Sequence, residues 1–356
     1  MSTKKSKKLP LIPLLDAFIM ECKRGRYLQR NGKPLSKQSI AKYEYLHLHL
    51  VNYSNKTNQV LEIIPAQKLT QRQLTVQKNY WKKLYNGFTN YLYHDRGCFD
   101  NYVGRVVKTL RTFLNYLNDE CNIQTSPYKR YLYVRSEEIP IISLSPERLN
   151  FLIYNEEFHE SLPPHLQRAK DIFVFGCTIA LRYIDLQKLK QNNLVKINGV
   201  YYLHCKSQKT ETHTKVLLPD YALNIINRHQ IKGKYLLPQI CNGVLNNHIK
   251  TIAELAGWTE EFIKTREQKG KAVVVYKNKA TKTHYRFCDL LSSHSMRRTA
   301  ITTMLMMGMN ELMVRNISGH AANSKEFFKY VALVQHYLDT ETEQFHSKLK
   351  ALETRY

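Results

Sequence analysis

The sequence predicts a mixed fold of two domains: an all-α N-terminal domain and a mainly α C-terminal domain that carries small antiparallel β-hairpins. The chain has 356 residues, and at about 150 residues per domain this length suggests two domains. Apolar residues recur at helical spacing throughout the first third. Alternating strand-like segments around polar turns occur in the second half.

The N-terminal domain, residues 10–120, is predicted from four amphipathic helices. The first covers residues 11–23, the second begins after a cap at Ser36 or Ser39, and the third covers about 74–93. The fourth is the clearest, because its apolar residues lie within about 80° of one another on a helical projection. These residues are Val103, Val107, Leu110, Leu114 and Leu117. The cations between them, Arg105, Lys108 and Arg111, point mostly elsewhere and fit a solvated face or a phosphate-contacting face equally well.

A linker is expected over residues 121–140, which have mixed polarity and include two prolines. The second domain, residues 141–338, opens on Ser145 and Pro146, a capping residue followed by proline at the first helical position. Residues 339–356 are predicted to form a separate amphipathic tail helix, and residues 1–9 a basic arm.

Two hairpins and a run of short helices are predicted inside the second domain. The first hairpin pairs residues 199–205 with 214–219, and the second pairs 272–276 with 284–287 around a basic turn. The helical segments after them are separated by Gly308-Met309-Asn310, then by Gly319-His320 and then by Asn323-Ser324.

Charge and motifs narrow the function. With 54 Lys and Arg against 29 Asp and Glu, the formal charge is +25, which predicts a polyanionic partner, most commonly nucleic acid. The cysteines show no C-x-x-C spacing, and no zinc-protease, P-loop or dinucleotide-binding motif occurs. No apolar run approaches the roughly 20 residues that span a bilayer, and no signal peptide is recognisable. We therefore expect a cytoplasmic, nucleoid-associated protein without a cofactor, a metal or a membrane partner.

Several residues of the second domain have residue types that add up to one kind of site. Arg182 lies in an apolar segment, where a guanidinium is costly unless it meets an anion or Asp185. His294 and Arg297 are three residues apart and would share a helix face. Lys209 lies in a predicted strand-to-strand loop, and His320 is followed ten residues later by Tyr330.

These residues resemble the tyrosine recombinase (phage integrase) family, and most closely the mobile-element recombinases of Bacteroidetes-like bacteria. The resemblance spans nearly the whole chain and rests on the order and spacing of its elements. The elements are the Ser39-x-x-x-Tyr43 helix, Leu181-Arg182-x-x-Asp185-Leu186, Lys209-Thr210 between strands, His294-x-x-Arg297, Gly319-His320 and Tyr330. The resemblance implies a SAM-like core-DNA-binding domain followed by a catalytic domain of the tyrosine recombinase fold.

The resemblance also implies the activity and the role of each residue. DNA would be cut and rejoined through a 3′-phosphotyrosyl intermediate without metal or ATP, for integration, excision or inversion of a mobile element. Tyr330 would be the nucleophile and Lys209 the general acid, and Arg182 and Arg297 would clamp the phosphate. His294 would be the general base or a phosphate donor, His320 a second donor, and Asp185 a support for Arg182. Arg298, about 100° away from Arg297, would contact the DNA backbone or solvent, and Tyr337 is too far from His320 to be the nucleophile.

The partners implied are double-stranded DNA with specific recombination sites and three further copies of the chain, as a homotetramer on two sites. Accessory DNA-bending or directionality proteins are further candidates. Two other functions stay open at this stage. One is a non-catalytic, sequence-specific DNA-binding regulator derived from a recombinase. The other is a nicking-closing enzyme with type IB topoisomerase chemistry.

Overall fold

The computed structural model describes residues 8–29, 31–63, 65, 70–206, 213–229, 235–321 and 323–353. The chain forms two compact units. Unit 1 consists of Met1–Ile139 together with Lys264–Val275, and unit 2 consists of Pro140–Ile263 together with Tyr276–Tyr356.

Unit 1 is a helical bundle around an aromatic core. Its helices are α1 (Leu11–Lys23), α2 (Lys37–Thr57), α3 (Gln71–Asn90) and α4 (Asp100–Asp119), and a short strand β1 (Leu9–Pro10) pairs with β2 (Glu62–Ile63). Ser36 caps α2 by accepting the backbone N–H of Ser39, which decides between the two candidate caps. Buried rings fill the centre of the bundle, among them Phe18, Trp81, Phe88, Phe113 and Tyr128.

The segment expected to be a linker differs from that expectation, because much of it is part of unit 1. A 3₁₀ turn, Ser126–Arg130, follows α4. Tyr128 is 1% exposed and Leu132 is 2% exposed, and both pack in the core of unit 1. Their apolar surface anchors a segment whose average composition is polar, so the unit boundary falls at residues 139 and 140.

Between residues 194 and 286, the described part of the chain forms seven strands. They are β3 (Leu194–Ile197), β4 (Val200–Lys206), β5 (His213–Leu217), β6 (Glu261–Phe262), β7 (Thr265–Gln268), β8 (Lys271–Val274) and β9 (Tyr285–Arg286). The first three form an antiparallel sheet in which β4 is central, which contains the predicted first hairpin and an additional strand, β3.

The second predicted hairpin is wrong. β8 pairs with β7 across the turn Lys269-Gly270, where both residues have positive φ, and β9 pairs with β6. An isolated bridge, Asn278–Thr283, lies between the two segments that were predicted to pair. The β-prone run 272–276 was correctly read as a strand, but its partner lies before it in the chain, where Thr265–Gln268 has no alternating apolar pattern.

Unit 2 is built on helix α7, which is buried over most of its length. Its helices are α5 (Pro146–Tyr154), α6 (Glu156–Ser161), α7 (Pro164–Ile179), α8 (Tyr183–Leu186), α9 (Asp220–Arg228), α10 (Asn242–Leu255), α11 (Phe287–Leu290), α12 (Ser293–Met306), α13 (Glu311–Ser318) and α14 (Lys325–Glu353). A Cβ on Gly176 would lie 2.5 Å from the sulfur of Met296, so glycine permits the close approach of α7 and α12.

The predicted tail helix is not a separate element, since residues 339–353 continue α14 without a break. Among the described residues, no helix is both long and apolar enough to cross a membrane.

Candidate active site

The predicted site residues of unit 2 lie at the ends of helices α7, α8 and α13 and within helices α12 and α14. Helix α7 ends at Ala180 in the left-handed conformation, and the chain then places Arg182 as the N-cap of α8. Helix α13 ends at Gly319, also left-handed with φ 62°, and this turn places His320 directly after the helix. Helix α12 carries His294 and Arg297 one turn apart, and Tyr330 lies in the second turn of α14.

Arg297 is the buried cation of the site. Its side chain is 3% exposed, and one terminal nitrogen donates to the carbonyl oxygen of Ala180 at 2.8 Å. The other terminal nitrogen faces the His320 ring, 3.2 Å from Nε2. Desolvation, reinforced by the charge of Arg182, lowers the pKa of Arg297 to about 10, so the guanidinium stays charged at neutral pH. Among the described residues, no carboxylate forms an ion pair with Arg297.

His320 is held on its other side by Ser318. The Ser318 hydroxyl oxygen lies 2.7 Å from His320 Nδ1. The same hydroxyl donates to the carbonyl oxygen of Val314, also at 2.7 Å. The same Arg297 nitrogen lies 3.3 Å from Nδ1 and 3.2 Å from Nε2. If the single hydroxyl proton satisfies the carbonyl, the ring is protonated on Nδ1 and accepts from Arg297 at Nε2. Desolvation and the charges of Arg297, Arg182 and Arg315 lower the pKa of His320 to about 4. The imidazole is therefore neutral at pH 7.

Tyr330 lies in the same cluster and is 6% exposed. Its ring centroid is 6.0 Å from that of His320 and 6.5 Å from that of Phe327. Burial raises the pKa of Tyr330, while the charges of Arg297 and Arg298 and a hydrogen bond from Arg298 oppose that rise. Arg298 therefore interacts with the phenol, a role that the helical projection of the sequence did not indicate.

Arg182, Asp185 and His294 complete the cluster. Arg182 contributes positive potential at Arg297, His294 and His320, since its charge lowers the pKa of each. Asp185 is buried on α8, and its charge favours the protonated form of Arg297. The His294 side chain is open to solvent, and partial desolvation followed by the charges of Arg298, Arg297 and Arg182 lowers its pKa. The site is thus a cationic cluster next to a phenol.

Lys209 falls outside the described residues. The strands on either side of its loop are paired through Lys206 and His213.

The predicted DNA-contacting cations lie in unit 1. Arg105 and Lys108 are exposed on α4 and line a surface groove of about 460 Å³, whereas Arg111 is only partly exposed and does not line it. The facing wall, from the segment before α2 and from α2 itself, consists of Leu35, Ser39, Lys42 and Tyr43. Lys42 was missed because a single lysine on a polar helix face carries no distinguishing pattern.

Other contributors were also missed or given no role. The carbonyl of Ala180 and the hydroxyl of Ser318 orient Arg297 and His320, yet neither carries a recognisable motif. Arg315 lies over the rings of Phe327 and Phe328, with 4.6 and 5.0 Å to the two centroids, and so links α13 to α14. Within the described part of the chain, no group of three or more His, Cys, Asp or Glu side chains could hold a metal ion.

Comparisons with known proteins agree on one fold. No protein-family model matches the chain, and no curated protein sequence matches it either. Solved structures do match over nearly the full length. XerH site-specific recombinase bound to palindromic difH substrate in a post-cleavage complex matches with a TM-score of 0.61 and 13% identity, over 96% of this chain and 98% of that chain.

Two further structures agree. A lambda integrase dimer bound to a COC′ core site matches with a TM-score of 0.57 and 13% identity, over 91% of this chain and 78% of that one. The Tn1549 transposon integrase in complex with transposon right end DNA matches with a TM-score of 0.53 and 14% identity, over 95% and 99%. The chain therefore has the mainly helical tyrosine recombinase fold with small antiparallel sheets.

Proposed function

We propose that the protein is a site-specific tyrosine recombinase that cuts and rejoins duplex DNA through a covalent 3′-phosphotyrosyl intermediate. The observation that carries this proposal is a cationic cluster at the buried Tyr330 phenol. The charges of Arg297 and Arg298 act on the phenol and the His320 ring lies beside it. Arg182 acts in turn on Arg297 and His320. A buried guanidinium without a carboxylate partner is costly. A phosphate between these cations would supply the missing negative charge.

The proposed reaction is a transesterification. The Tyr330 hydroxyl oxygen attacks phosphorus and loses its proton, a 3′-phosphotyrosyl bond forms, and the bond to the 5′ oxygen breaks. The leaving oxygen takes a proton from Lys209 and departs as a 5′-hydroxyl. Attack by the 5′-hydroxyl of another strand reverses these steps, so the number of high-energy bonds is unchanged and neither ATP nor an external cofactor is required.

The surrounding side chains fit this chemistry in distinct ways. Arg182 and Arg297 offer planar donor forks to the non-bridging oxygens, whose negative charge grows in the pentacoordinate transition state. A phenol of pKa about 10 is a weak nucleophile at neutral pH, and the Arg298 hydrogen bond favours its phenolate form. His294 is neutral and open to solvent, and we assign it as the general base that accepts the phenol proton. Bound phosphate would compete for Arg297 and release His320 Nε2 to act toward the substrate.

DNA affinity is proposed to come from the rest of the positive charge. The groove of Lys42, Arg105 and Lys108 in unit 1 has the polarity and exposure of a phosphate-contacting surface. The XerH and lambda integrase structures contain DNA, and one lambda integrase structure is a tetramer bound to a Holliday junction, with a TM-score of 0.52. By analogy we propose a homotetramer on two sites, serving integration, excision or inversion of a mobile element in a Bacteroidetes-like host.

A trapping experiment tests the nucleophile. A nicked suicide duplex, from which the cleaved 5′-hydroxyl fragment diffuses away, is expected to leave a covalent protein–DNA adduct with the native chain. Tyr330→Phe should form none, while the matched control Tyr337→Phe, seven residues along the same helix, should retain it. An adduct in Tyr330→Phe would remove the assignment. Sequence-specific binding without any adduct would indicate a regulator, and adducts without sequence preference would indicate a nicking-closing enzyme.

A second experiment tests Lys209. Lys209→Ala is expected to cleave slowly on ordinary DNA and at close to native rate when sulfur replaces the bridging 5′ oxygen. A thiolate leaves without a proton, so this substrate bypasses the general acid. Lys206→Ala is the control and should respond equally to both substrates. If sulfur fails to rescue Lys209→Ala, the proton must come from another residue.

A further inference from the structure

A cavity in unit 2 lies between helices α5, α6, α7 and α9 and shares no residue with the candidate active site. Its volume is about 380 Å³, which is space for a small molecule of several heavy atoms. Part of its wall is apolar or aromatic, formed by Ile153, Tyr154, Val174, Tyr221 and Ile225. The Tyr154 and Tyr221 rings meet edge to face with centroids 6.1 Å apart, which gives this wall a fixed shape.

A buried lysine lines the inner part of this cavity. The side chain of Lys170, on α7, is 3% exposed and also lines the apolar space beside Phe173 and Trp258. Among the described residues it has neither a hydrogen-bond partner nor an ion-pair partner. Desolvation lowers the pKa of Lys170, and the charges of Asp171 and Glu156 only partly offset that effect. Lysine is rarely buried this deeply without a partner.

The neighbouring carboxylate does not supply that partner, because it is already engaged. Asp171 accepts two hydrogen bonds from Arg228 at 3.0 Å and lies 2.8 Å from His229 Nε2. His159 is neutral, since desolvation and the charge of Lys170 lower its pKa. The remaining acids of the lining, Glu156 and Asp220, are exposed. Besides the paired Asp171 and Arg228, the cavity therefore presents one unpaired cation, Lys170, and two exposed carboxylates.

We propose that this cavity binds a small zwitterion, whose anionic group pairs with Lys170 and whose amine is held by Glu156 and Asp220. The anionic group is a carboxylate or a phosphate. The apolar wall would contact an aliphatic body between the two charges. This site is independent of the recombinase proposal, because none of its residues takes part in the proposed strand cleavage.

Calorimetric titration of the full-length chain tests the proposal with four probes. 6-Aminohexanoate carries both charges, hexanoate only the anion and hexylamine only the amine, while 6-aminohexyl phosphate keeps the aliphatic chain and replaces the carboxylate by phosphate. We expect at least one of the two zwitterions to bind, at least tenfold more tightly than hexanoate or hexylamine. The tighter zwitterion identifies the anionic group as carboxylate or phosphate.

Variants locate the bound probe. Lys170→Met keeps the side-chain length and is expected to weaken zwitterion binding at least tenfold, whereas the exposed control Lys271→Met in unit 1 should have no effect. Glu156→Gln combined with Asp220→Asn changes only exposed groups and should reduce 6-aminohexanoate to the affinity of hexanoate. The proposal is overturned if neither zwitterion binds, if the single-charge probes bind equally well, or if both sets of variants bind like the native chain.

Discussion

Two clusters of buried charges in this protein differ in the partners of their charged groups. In unit 1, the carboxylate of Asp100 is 1% exposed and accepts the backbone N–H groups of Lys269 and Gly270 at 2.8 and 2.7 Å, together with the Tyr93 hydroxyl. Glu137 accepts two bonds from Arg266 and one from the backbone of Glu267. These acids join the β7–β8 hairpin to the helical bundle, and each carboxylate accepts three hydrogen bonds.

In the unit 2 cluster, called the open cluster below, the buried cation has only uncharged acceptors within the described part of the chain. Arg297 is almost as deeply buried, yet its acceptors are a carbonyl oxygen and an imidazole, both uncharged. Arg182 and Arg298 add further positive potential beside it. The difference lies in how each buried charge is paired. The carboxylates of the first cluster, called the closed cluster below, accept hydrogen bonds from donors of the protein, whereas Arg297 forms no ion pair among the described residues. Substitutions in the first cluster should therefore lower stability, and substitutions in the second should lower activity.

The largest effect is expected when the open cluster loses its buried cation. Arg297→Met should reduce the rate of covalent adduct formation by about 10²–10³-fold, as removal of one transition-state donor does in other enzymes. The free energy of unfolding should stay the same or rise, because an apolar side chain of similar volume carries no desolvation cost. Adduct kinetics and urea unfolding on the same preparation measure both. A large loss of stability would make Arg297 a structural residue.

The closed cluster should show the reverse pattern. Asp100→Asn keeps the shape but loses the charge that accepts three donors, and should lower the free energy of unfolding by about 3 kcal/mol. The exposed Asp119→Asn, at the other end of the same helix, is the control and should change stability little. Urea unfolding measures the difference. An unchanged midpoint for Asp100→Asn would mean that the hairpin is held by other contacts.

Acid should destabilise the open cluster through His320. Its pKa is lowered to about 4 in the folded chain, whereas an unfolded histidine titrates near 6.5. Below pH 6.5 the unfolded state binds a proton that the folded state does not, so this contribution is complete above pH 6.5 and is lost as the pH falls toward 4. The loss at pH 4.5 should be on the order of 2 kcal/mol. Comparison of urea unfolding at pH 7 and 4.5 should show a smaller acid loss for His320→Gln.

The smallest predicted effect concerns packing around the closed cluster. A Cβ on Gly104 of α4 would lie 1.9 Å from the carbonyl oxygen of Arg135, in the segment that leads to Glu137. Gly104→Ala should therefore cost about 1–2 kcal/mol of stability as the backbone moves away. Gly243→Ala in α10 has open space around its Cβ and should be neutral or stabilising by up to about 1 kcal/mol. Thermal unfolding that ranks the two variants the other way would contradict this packing.

Much of the fold was predictable because it is encoded locally. The bounds of α1 match the predicted 11–23, and the Ser145-Pro146 start of α5 is present as expected. The choice between Ser36 and Ser39 needed coordinates, since either hydroxyl could serve as a cap. The second hairpin was wrong because Val273 and Val274 have strand propensity, but propensity does not select a partner.

The candidate site, too, has residues that the sequence predicted and a contact that it did not. The types and order of Arg182, His294, Arg297, His320 and Tyr330 were read from spacing, and the structure places all five around one cluster in unit 2. Arg298 was expected to contact the DNA backbone or solvent, and it also lowers the pKa of Tyr330, which lies on the neighbouring helix α14. A projection of one helix says nothing about the helix packed against it.

By itself, the sequence determined most of the helices and the positive charge, since these depend on composition and short periodicities, and its motifs supplied the candidate site residues through a family resemblance. Only the tertiary structure decided which buried charges are satisfied. Arg297 and the Ala180 carbonyl are 117 residues apart, and Asp100 and the Gly270 amide are 170 apart. Whether a buried charge has a partner depends on residues this far apart in the sequence. Desolvation penalises a charge that lacks a partner, and only the folded chain brings the partner within reach.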